Sequence, residues 1–77
     1  MTELEYRRSA YRVAISAVER TRDGYAEVIR NLGETGRVSP TAPLMPYTAE
    51  LENLYARMLV AAEDDLRTLR REYAELV

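Results

Sequence analysis

The stretch Leu54-Tyr55-Ala56-Arg57-Met58-Leu59-Val60-Ala61-Ala62 decides how this chain folds. Only Arg57 in it is strongly polar, and its apolar residues belong to two helical registers displaced by one position. Tyr47, Leu51, Leu54, Met58 and Ala61 trace the first; Tyr55, Leu59, Ala62, Leu66, Leu69, Tyr73 and Leu76 trace the second. Spacings of three and four mark each register as one stripe of an α-helix. A helix that is apolar on two stripes is buried from more than one side, and a single neighbouring helix covers only one of them.

The neighbour is upstream. Thr2-Glu3-Leu4-Glu5 is a capping-box pattern, with Met1 and Tyr6 placed to form a hydrophobic staple. From there Leu4, Tyr11, Val18, Tyr25 and Leu32 recur every seven residues, joined by Ala14, Ile15, Val28 and Ile29. The register passes through Gly24, so one helix is expected over about residues 2–32, with Gly33 as its left-handed C-terminal residue. Residues 33–46 contain glycines and all three prolines, which bars a helix there. A second helix is expected over about 47–76. The chain therefore reads as one all-α domain, residues 1–77, an antiparallel coiled-coil-like hairpin of two helices.

Folding the hairpin about the middle of the loop sets a ridge of small residues, Ala10, Ala14, Ala17, Thr21 and Gly24, opposite Leu69, Leu66, Ala62, Met58 and Tyr55. Large side chains facing small ones let two helices approach closely. The other stripe of helix 2 and the Ile15/Ile29 edge of helix 1 are then left uncovered. Ile15, Ile29, Leu54, Tyr55, Met58, Leu59, Ala62 and Leu66 are accordingly the expected association surface, and two hairpins would complete a four-helix bundle.

Size and composition agree. With 77 residues, a lone core normally supplies no more than ~3–5 kcal/mol. The chain has no Cys and no His, so neither disulfides nor thiolate or imidazole metal sites supplement that core, and the usual nucleophile-and-base pairs are missing. Association is the supplement that remains. Apolar residues make up 47% and charged residues 31%, the balance of a chain that folds. Every cation is Arg and every aromatic residue is Tyr, the residue types enriched at interface hot spots. A net charge of −2 creates no field for nucleic acid or an anionic membrane. No apolar run is long enough for a leader or a membrane span, so a soluble, unprocessed cytoplasmic protein is expected.

Other candidate sites are weaker. Glu19, Asp23 and Glu27 align on one helix face as oxygen ligands do, but Arg20, Arg22 and Arg30 lie beside them, which reads as a solvated charged face. Glu63-Asp64-Asp65 does not converge, because consecutive helical positions diverge. Arg7, Arg8 and Arg12 meet Arg67, Arg70 and Arg71 at the open end of the hairpin, where acids outnumber arginines, so interleaved ion pairs are expected. Arg7, Arg8 and Arg22 fall at or beside the seam, where a charge needs a partner; they form the candidate polar interface, with Asp64, Asp65 or Glu72 as counterparts. Pro40, Pro43 and Pro46 have the three-residue repeat of polyproline II, and with Leu44 and Met45 they form the candidate recognition loop, or else a stiff spacer. Tyr11, Tyr25, Tyr55 and Tyr73 lie on apolar stripes and read as packing residues.

The outline is similar to that of small secreted helical hairpins identified by a central Trp-x-Gly. This chain has no Trp and lacks that motif, so the similarity stops at the outline.

The expected function is that of a non-enzymatic interaction or assembly module, completed by homodimerisation or by docking on a helical partner. No catalytic, metal or cofactor residues are assigned. The alternative is a small regulator that binds nucleic acid, or another anionic partner, through the Arg-bearing open end.

Overall fold

A computed structural model describes residues 1–76, and among them it contains two helices and no strand. Helix α1 spans Glu3–Thr35 and α2 spans Thr48–Ala74. The two pack side by side in a rod of 51 × 21 × 13 Å. They run antiparallel, since Tyr11 pairs with Tyr73 at a ring-centroid distance of 6.4 Å while Tyr25 pairs with Tyr55 at 6.0 Å.

Helix α1 starts as its sequence requires. The Thr2 hydroxyl accepts from the Glu5 amide at 3.1 Å, and the Glu5 carboxylate accepts from the Thr2 amide at 3.4 Å, so two of the unpaired first-turn donors are satisfied reciprocally. Met1 and Tyr6, the expected staple residues, are both largely exposed. At the other end the helix runs past Gly33 to Thr35. The left-handed residue is Gly36, at φ 71°, whose amide donates to the Leu32 carbonyl at 3.0 Å. Gly36 holds this position because its carbonyl also accepts from the Met45 amide at 2.9 Å, closing the loop back onto the helix end.

The connection is a folded loop. The Asn31 amide donates to the Val38 carbonyl at 3.2 Å, and the Arg37 guanidinium donates to the Ala42 carbonyl. Ser39-Pro40-Thr41-Ala42 forms a turn closed by the Ala42 amide on the Ser39 carbonyl at 3.1 Å, with Pro at the position that fixes φ for such a turn. Polyproline II has no internal hydrogen bonds, so the expected alignment of Pro40, Pro43 and Pro46 along one edge is broken here. Helix α2 begins after Tyr47, a non-glycine residue at φ 59° that makes no side-chain cap.

The seam differs from the expected one. In α1 the inward stripe is Leu4, Arg8, Tyr11, Ile15, Val18, Arg22, Tyr25, Ile29 and Leu32, all at least partly buried. In α2 it is Tyr55, Leu59, Ala62, Leu66, Leu69 and Tyr73, the second of the two registers. The small ridge of α1 therefore borders the seam rather than filling it, with Ala14 alone of the five partly buried. Ala10, Ala17, Thr21 and Gly24 are exposed, and a methyl group on Gly24 would meet nothing within 4 Å. The reason is size: Tyr, Ile and Val on the heptad stripe remove more apolar surface from water than the alanine ridge does, and hydrophobic stabilisation follows that area.

Among the described residues only Leu32, Ala62 and Leu66 are fully buried. Two helices side by side cover one stripe each, and every other apolar position keeps contact with water.

Candidate interaction surface

The two flanks of the hairpin carry different chemistry. On a helix, Glu19 lies to one side of the inward residues Val18 and Arg22, and Thr21 lies to the other. The Glu19 side is charged, and the Arg70 guanidinium crosses from α2 to the Glu19 carboxylate at 3.2 Å. The Thr21 side is apolar over most of its length. A shallow groove there brings Thr21 together with Met58 and Ala61, and nearer the open end a second brings Ala10 and Ala14 together with Leu69 and Glu72. Leu54, Met58 and Ala61 stand at i, i+4 and i+7, hence on one stripe. Leu54 is 45% exposed and Met58 39% exposed.

This divides the expected association surface. Ala62 and Leu66 are buried inside the hairpin, and Ile15, Ile29, Tyr55 and Leu59 are partly buried on its seam. Of the eight residues, Leu54 and Met58 are the two left exposed. Sequence reasoning turned the wrong stripe of α1 toward α2, the small ridge in place of the heptad, and so missed Ala10, Ala17, Thr21 and Gly24 as surface residues. The signal was present: a glycine within a long helix costs about 0.5–1 kcal/mol relative to Ala, and no large residue of the same chain was required to sit upon it.

The arginines have local partners. Arg7 pairs with Glu3 at 2.7 Å and Arg22 with Asp23 at 3.0 Å, both within α1, and Arg67 pairs with Asp64 at 2.9 Å within α2. Arg8 is partly buried on the inward stripe, and the Arg12 guanidinium points back to its carbonyl. Glu19, Asp23 and Glu27 do not converge, because each is drawn to a different arginine, Arg70, Arg22 and Arg30. At the open end the Tyr11 hydroxyl donates to the Glu72 carboxylate at 2.7 Å. The hydroxyl pKa is raised: the hydrogen bond holds the proton, burial disfavours the phenolate, and the charge on Glu72 adds to both.

In the loop, Pro40, Pro43, Leu44 and Pro46 are exposed and Met45 is partly buried. A methyl group on Gly36 would meet Leu44 at 3.5 Å, so Leu44 lies beside the helix cap. Among the described residues, neither helix is long and apolar enough to cross a membrane.

The class that fold and surface define is a helical hairpin with one charged flank and one open apolar flank. Compared with known protein families, curated proteins and solved structures, the chain matches none.

Proposed function

We propose that this protein is a small assembly module, which completes its core by packing the apolar flank of Leu54, Met58 and Ala61 against another helical surface. The observation that carries this reading is the state of α2 between Leu54 and Ala62: one stripe is taken up by α1, and the other lies in water beside the bare ridge of Thr21 and Gly24. Exposed apolar residues are ordinary when scattered. Here they are contiguous along one flank and sit on a chain with three fully buried residues among those described.

Binding of nucleic acid through the open end has less support, because Arg7, Arg67 and Arg70 of that group already pair with carboxylates of the same chain. Thermal unfolding across a hundredfold range of chain concentration tests the proposal, since an associating fold gains stability by mass action. A rising midpoint is expected for the chain alone or with its partner added. A cooperative monomer that ignores concentration and tolerates Met58→Arg without loss would overturn it.

A further inference from the structure

Resting on that reading, we infer that the occupant of the apolar flank is a second copy of this chain, packed with both loops at the same end.

Area is the first argument. A compact monomer of 8.9 kDa exposes roughly 4,800 Å², whereas this rod exposes 5680 Å². The excess, about 900 Å², matches the ~800 Å² that one partner contributes to a standard stable interface. A single hairpin therefore carries as much surplus surface as one second hairpin of its own size covers.

Shape decides the register. The flank is small on the α1 side, at Ala17, Thr21 and Gly24, and large on the α2 side, at Leu54 and Met58. The Tyr25–Tyr55 pair and the groove shared by Thr21 and Met58 put the large residues level with the small ones. A two-fold axis parallel to the rod lays α1 of each copy against α2 of the other at the same level. Met58 and Leu54 of one copy then stand over Thr21 and Gly24 of the other, twice over, as an isologous interface requires. With the loops at opposite ends, α1 would lie on α1 and α2 on α2, small on small and large on large, and Asp65 would approach the Met58 stripe of the second copy.

Charge does not choose between the two arrangements, because at the open end Arg7 pairs with Glu3 of its own helix and Glu72 accepts from Tyr11. On α2 the flank residues Leu51, Leu54, Met58 and Ala61 are uncharged, and Asp65 stands at the edge of the groove that Met58 and Ala61 share with Thr21.

Since the chain has no cysteine, a nitroxide placed through Thr41→Cys, in the exposed turn of the loop, reports the register by electron–electron distance. The sample is also weighed by light scattering and its unfolding followed by circular dichroism. A dimer with label separations below about 30 Å is expected, given interaxial spacings of ~8–10 Å in such bundles. A dimer with separations near the 51 Å length of the rod would overturn the register and leave the assembly reading standing. A monomer that melts without cooperativity would overturn the second copy as occupant, again leaving the need for a partner. A cooperative monomer would overturn both.

Discussion

Tyr11 of α1 and Glu72 of α2, sixty-one residues apart in sequence, are joined hydroxyl to carboxylate at 2.7 Å near the open end of the hairpin. The bond bridges the helices beside the Tyr11–Tyr73 ring pair, so the end remote from the loop is closed by chemistry as well as packing. Its sign with pH follows from the raised Tyr11 pKa. A group whose folded pKa lies above its unfolded value contributes stability that is complete below the unfolded value, about 10 for Tyr, and is lost as pH rises through the folded one. In an alkaline titration followed by phenolate absorbance, Tyr11 is expected to ionise in a late phase, above the ordinary tyrosine value. Tyr11→Phe removes that late phase, and Glu72→Gln moves it earlier. A wild-type chain whose titration is unchanged by Tyr11→Phe above the ordinary tyrosine value would show that the bond does not persist in solution.

Leu66 is 2% exposed, the largest side chain fully buried in the seam. Truncating such a leucine costs about 2–5 kcal/mol, through lost transfer energy and the cavity left behind. In a chain with so few buried residues that loss is most of the stability available. Leu66→Ala is expected to abolish the cooperative urea transition at room temperature, whereas Leu54→Ala, on the open flank, leaves the transition of the isolated hairpin in place. Equal losses from both would mean that the two registers of α2 are equally buried in solution.

Much of this architecture was legible before any coordinates. The capping box at Thr2 and Glu5, the heptad from Leu4 to Leu32 and the run of loop-forming residues each act within a few residues of chain, and local spacing reports them directly. Two features were not legible for a common reason. Whether Gly33 or Gly36 ends α1 depends on which carbonyl the Met45 amide can reach, and whether Met58 or Leu59 points at α1 depends on a rotation of about 100°. Both are settled by long-range packing, which the periodicity of one helix does not encode. The candidate surface suffered most, since choosing the wrong stripe of α1 exchanges inside for outside: Ile15 and Ile29 passed from open edge to seam, and Thr21 and Gly24 from seam to surface.

Arg22 occupies a seam position with its side chain 30% exposed, yet its guanidinium turns to Asp23 at 3.0 Å, whose own side chain is 69% exposed. A pair so wet contributes about 0–1 kcal/mol, less than an apolar residue would at the same place. Arg22→Leu is therefore expected to raise hairpin stability by about 1 kcal/mol in chemical denaturation. A fall of similar size would show that Arg22 holds a carboxylate of another chain in solution, as its candidacy for a polar interface requires.

Gly24 and Gly33 offer a matched pair. Both lie within α1, and an added methyl group meets nothing within 4 Å at either position. In an isolated hairpin each Gly→Ala change would thus stabilise by about 0.5–1 kcal/mol through helix propensity alone. The two differ in flank: Gly24 lies on the open apolar side in line with Thr21, and Gly33 lies in the last turn, on the side of the inward stripe that also carries Glu19. If another helix packs over Thr21 and Gly24, the methyl at 24 intrudes on that contact while the methyl at 33 does not. Gly33→Ala is expected to show the full gain and Gly24→Ala a smaller gain or a loss, with the gap widening as chain concentration rises. Equal gains at every concentration would mean that the ridge stays bare in solution, and the apolar flank would then have no occupant.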